Sequence, residues 1–186
     1  LLSALGVATI ALHHLADGID ARRLGWAAPL WFLVHQVGGF PFAGHVFVTP
    51  YPLVPWVAVM ALGFCLGRVL ELPVDRRERI MFRLGIVVTI AFLVVRVINH
   101  YGDGEPWSWG SSAVYTVLWF LNTTKYPPSL QFLLMTLGPA LFLLAYFDRR
   151  SLSRSNPLIV FGRVPLFYFV LHFIAAQVAA FALAVL

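Results

Sequence analysis

Of the 186 residues, 60% are hydrophobic and 11% are charged, and the mean hydropathy is +0.84, far above that of a soluble domain of average composition. An integral membrane protein is expected, with the lipid bilayer as its first partner. The net charge of +5 comes without a basic face carrying base-stacking aromatics, which excludes nucleic acid, and the single cysteine, Cys65, excludes an intrachain disulfide.

A membrane crossing takes about 20 mostly apolar residues. Stretches of this kind lie near 1–16, 52–70, 84–98, 129–147 and 158–185. They predict an all-α polytopic transmembrane helix bundle of about five spans, plus one or two interfacial or re-entrant helices, forming a single domain. The chain opens Leu-Leu-Ser, without methionine or a charged flank. It reads as the C-terminal part of a longer polypeptide rather than as starting with a signal peptide.

The first apolar stretch ends in HHLADG, which has one residue too few for the HHxxxDG pattern of soluble acyltransferases. His13 and Asp17 are four apart, so on a helix they share a face and are expected to pair across its end. His13, His14, His35 and His45 match no metal-ligand spacing, and no metal site is expected. Residues 26–37 (WAAPLWFLVHQV) are rich in aromatics and lack charge, which suits an interfacial or re-entrant helix.

After the 52–70 stretch comes a short basic loop, Arg68 to Arg83, holding Arg76, Arg77 and Arg79. A second basic loop holds Arg149, Arg150 and Arg154. Short basic loops stay cytoplasmic, so the two long connections, 17–51 and 99–128, are expected on the outer side.

Arg96, at the outer end of the 84–98 stretch, is expensive in lipid and is expected to face the protein interior or a wet cavity. RVINHYGDGEPW follows on from it and gathers Asn99, His100, Tyr101, Asp103 and Glu105 around glycines. Residues 113–121 are apolar but too short to cross, and read as a second interfacial helix. Lys125, the chain's only lysine, stands with Tyr126 before Pro127 and Pro128. The prolines predict that Lys125 and Tyr126 are held extended at the start of the next helix. In the last stretch Pro165 predicts a kink after Arg163, and His172 and Gln177 lie among apolar residues.

The succession YPLVPWVAVMALGFCLG, RVINHYGD-x-x-PW, FLNTTKYPPSLQFLLMTLGPAL and FGRVPLFYFVLH covers most of residues 50–175. In that order these blocks closely resemble the C-terminal half of bacterial membrane proteins in the heparan-alpha-glucosaminide N-acetyltransferase catalytic-domain family. The family's first helices, with their Arg-Gly and histidine motifs, have no counterpart here.

The resemblance implies a multi-pass transmembrane acyltransferase of the bacterial inner membrane, moving an acetyl group from acetyl-CoA to a sugar amine or hydroxyl across the membrane. It also implies association with the missing N-terminal half or with other membrane subunits. Acyl transfer needs a base and an oxyanion partner. Under that reading His100 or Asp103 serves as base, and Arg96 or Lys125 stabilises the oxyanion. Asn99, Tyr101, Asn122, Tyr126 and His172 hold the acceptor, and Arg163 binds acetyl-CoA. Two other classes fit the sequence: a non-catalytic accessory or structural subunit of a larger membrane complex, and a small-solute transporter built on broken helices.

Overall fold

The structure, a computed structural model, describes residues 1–150 and 152–185. The chain divides into two units, Leu1–Arg149 and a second that begins at Arg150.

Unit one opens with α1 (Leu2–Leu12), a 3-10 turn (His13–Ala16), a 3-10 segment (Ala21–Ala27) and α2 (Ala28–Val34). The two arms, Leu2–Ala16 and Ala21–Val34, meet at 110°. An antiparallel hairpin follows, β1 (Gly38–Phe42) and β2 (His45–Thr49), in register Phe40 opposite Phe47. The helices α3 (Leu53–Leu70), α4 (Val74–Ile98), α5 (Ala113–Leu121) and α6 (Leu130–Asp148) complete the unit. Unit two consists of α7 (Pro157–Arg163) and α8 (Pro165–Val185).

Among the described residues, Leu53–Leu70, Val74–Ile98, Leu130–Asp148 and Pro165–Ala184 are each long and apolar enough to cross a membrane, and the bent pair makes a fifth if counted as one span. This is an all-α membrane helix bundle. Along α3, Met60 and Phe64 are 73% and 74% exposed, a surface that in water would be a large apolar patch and that lipid covers.

Small residues let the helices approach. Gly85 lies where any β-carbon would press on the Phe142 ring, and Gly138 where one would meet Thr89, which locks α4 against α6. Gly6 of α1 sits against Leu62 and Ala58 of α3 in the same way. Ile10, Ala58, Leu130 and Leu133 form the core between the two pairs.

Three elements differ from the sequence expectation. The stretch expected at 84–98 begins ten residues earlier, at Val74, so most of the basic "loop" is helical. Pro73 precedes it, Asp75 occupies the first turn, and Arg79 Nε donates to the Asp75 carbonyl one turn back. The hairpin has no counterpart among the predicted elements. It turns at Ala43 and Gly44, both at positive φ (50° and 80°), the twist that tight two-residue hairpins need. Residues 125–128 form a turn rather than an extended run, because Ser129 N–H donates to Thr124 O across the loop. The Pro165 expectation holds: Val164 leaves the helix (φ −125°, ψ 50°) and separates α7 from α8.

Candidate functional site

At one end of unit one the arginines meet acids. Arg77 pairs with Asp148, and Arg149 with Asp75 and Glu78. The opposite end is closed by the long connections, which fold over the C-terminal ends of α1 and α4 and the start of α6. Tyr101 Oη donates to Ala11 O at 2.6 Å, and Gln131 N–H to Gly102 O.

Arg96 is fully buried at this end. Its Nε donates to Phe120 O, its Nη2 to Trp119 O and Asn122 O, and its Nη1 to Gln131 Oε1 (2.7 Å) and Glu105 O (3.4 Å). A guanidinium has five N–H groups, so every donor is engaged. Three of the acceptors are carbonyls at the C-terminal end of α5, where helical partners run out, although Trp119 O also takes the Asn122 N–H. Arg96 thus faces the protein interior, as expected, but as the cap of α5, with no donor left for an oxyanion.

Asp103 is the second organising group. Oδ1 accepts from Glu105 N–H and Thr124 Oγ1, and Oδ2 from Thr124 N–H and Ser129 Oγ. Burial pushes its carboxyl up, but the hydrogen bonds from Thr124, Glu105 and Ser129 outweigh it and hold the group below the ordinary carboxylate range. Such a carboxylate is a weak proton acceptor. Asn99, left-handed at φ 57°, brackets Trp107 with both amide atoms, and Trp107 Nε1 donates to Arg96 O. The Tyr101 phenol is pushed up by burial and committed to Ala11 O.

Beside this scaffold lies a cavity of about 220 Å³, several times the volume share of one water molecule. It is lined by His14, Asp17, His35, Gln36, Thr124 and Ser129, with Ile19, Gly104 and Pro127. Asp17 bridges two imidazoles. Its Oδ2 meets His14 Nδ1, and its Oδ1 meets His35 Nε2 at 2.8 Å. The histidine side chains are 8% exposed and the carboxylate 45%. His14 Nε2 accepts the Leu130 backbone N–H at 2.9 Å, tying α1 to the start of α6.

The expected His13–Asp17 pair is replaced by His14–Asp17. The segment winds as a tighter 3-10 turn, which brings residues three apart, not four, onto one line. His13 instead turns its Nδ1 to Ile10 O.

The fold thus brings Arg96, Asn99, Tyr101, Asp103 and the Asn122 backbone into one network. Other expected site residues lie elsewhere. His100 is exposed and makes no hydrogen bond among the described residues. Lys125 is exposed, its Nζ 5.1 Å from the Tyr126 ring, which itself packs edge-on to Tyr51. Arg163 closes α7, and His172 bonds Tyr168 O within α8, both in unit two.

His14, Asp17, His35 and Gln36 are not among the site residues that the sequence predicts. The residue types, His-His-x-x-Asp at 13–17 and His-Gln at 35–36, are visible in the sequence, but the chain path that joins them is not.

Fold and site together define a polytopic membrane protein with a histidine- and carboxylate-lined cavity at one end of its bundle. Comparison with protein-family models, curated proteins and solved structures found no match.

Proposed function

We propose that the chain is part of a transmembrane acyltransferase of the bacterial inner membrane, using acetyl-CoA to acetylate a sugar amine or hydroxyl. One observation carries this reading: two of the four sequence blocks that support the family resemblance reach the cavity. The YGD block supplies Gly104 and the anchoring Asp103, and the TTKYPPS block supplies Thr124, Pro127 and Ser129. Lys125 and Tyr126 stand between two lining residues, which suits them to the acceptor as it arrives. Arg163 is the residue proposed for the phosphates of acetyl-CoA.

The test is ligand binding. Acetyl-CoA raises the melting temperature of the full-length protein in lipid nanodiscs, because a ligand held by the native state adds to its stability. The shift persists in high salt, where contacts between exposed charges are screened. No shift at a ligand concentration on the order of 100 times any useful Kd contradicts the reading.

A second reading, a non-catalytic structural subunit, is favoured by the complete internal pairing of Arg96 and Asp103. It predicts that acetyl-CoA has no effect.

A further inference from the structure

Three imidazoles crowd the end of α1, and they are not equivalent. His13 gives Nδ1 to Ile10 O, while its Nε2 is buried without a partner. It does not line the cavity. His14 is committed at both nitrogens. Because Nε2 accepts a backbone N–H from Leu130, that nitrogen carries no proton, so Nδ1 holds the hydrogen that faces Asp17. Protonating His14 would break the Leu130 bond. His14 is a positioning residue that fixes the carboxylate and ties it to α6.

His35 differs. Its Nε2 faces Asp17 Oδ1, and its Nδ1 makes no hydrogen bond among the described residues. Its ring is held by Trp31 at 4.9 Å, and Trp31 is itself anchored through Nε1 to Ile19 O. A histidine with one nitrogen on a carboxylate and the other without a partner has the arrangement of a general base oriented by an acid.

We propose that His35 is the proton acceptor of this cavity, oriented by Asp17, which His14 in turn holds in place. The assignment rests on the acyltransferase reading above. In the step it serves, the acceptor's nitrogen or oxygen attacks the thioester carbonyl carbon of the acyl-CoA. Its proton passes to His35 Nδ1 and the carbon–sulfur bond breaks. The proton then moves to the departing thiolate, giving an amide or ester and free thiol.

The test uses the full-length polypeptide in nanodiscs. His35→Gln keeps a donor for Asp17 but cannot accept a proton, and it lowers the acetyl-transfer rate at saturating acetyl-CoA about 100-fold or more. The acetyl-CoA thermal shift is retained. Asp17→Asn also slows transfer. Long-range proton–nitrogen spectra of the histidine-labelled protein show neutral His35 as its Nε2–H tautomer and His14 as its Nδ1–H tautomer. An undiminished rate in His35→Gln, or His35 found as the Nδ1–H tautomer, overturns the assignment and leaves acyl transfer standing. If the unsubstituted protein shows neither thermal shift nor transfer, the functional reading falls and the assignment with it. Should His35→Gln fail to fold, the tautomers of the unsubstituted protein decide.

Discussion

A guanidinium inside a membrane bundle persists only when its N–H groups are all met, and Arg96 meets that condition with the Gln131 side chain and four backbone carbonyls. Arg96→Leu leaves most of those oxygens without a donor and is expected to cost about 3 kcal/mol or more in all, read as loss of monodisperse protein after detergent extraction. Arg96→Lys has three donors for five acceptors and recovers only part of the loss. A leucine variant as stable as the parent contradicts the capping role.

Asp103 gives a pH signature. Its folded-state pKa is depressed, so the stability it contributes is present above its unfolded-state value, about pH 4. That contribution is lost as pH falls through the lower folded value. Asp103→Asn is expected to melt lower at pH 7, with a shallower decline between neutral pH and acid. An unchanged acid profile would show that the four hydrogen bonds contribute nothing.

Much of this residue chemistry was legible in part. The composition and position of Arg96 announced an interior-facing charge, but the sequence does not say that its acceptors are the carbonyls of a helix more than twenty residues away. The His14–Asp17–His35 bridge was hidden for a related reason. It depends on a 3-10 turn and a 110° bend, neither of which side-chain periodicity encodes.

The helices themselves obey simpler rules. Apolar length placed α3, α5 and α6 within a residue or two, because those helices coincide with their apolar runs. α4 runs past its apolar segment because arginine and glutamate are good helix formers, so hydropathy marks where lipid ends and not where the helix does.

The α4–α6 contact offers a direct check of this packing. A methyl at Gly138 would collide with Thr89 Oγ1 and lie 3.2 Å from the Thr89 nitrogen, which is backbone and cannot swing aside. Gly138→Ala is expected to destabilise by about 1–3 kcal/mol, whereas Gly63→Ala, with nothing within 4 Å, changes little. Thermal melts of the two variants in one detergent compare them. Equal melting temperatures would mean that the helices pack less closely at Gly138 than described.

For the molecule as a whole, the two ends of unit one carry opposite chemistry. Arg77 and Arg149 with their acids lie at one end, and the cavity, Arg96 and the long connections at the other. Basic connections face the cytoplasm, so a cysteine at position 104, in a Cys65→Ala background, is expected to react with an impermeant maleimide from the outer side only. The same sidedness bears on function, since acetyl-CoA is proposed to arrive at one face and the acceptor at the other. The most direct test uses sealed inverted vesicles of the full-length protein, given labelled acetyl-CoA on the exposed cytoplasmic face and an amino sugar inside. The account predicts labelled N-acetyl product in the lumen, abolished by His35→Gln. Labelled product on the acetyl-CoA side alone, or none on either side, contradicts it.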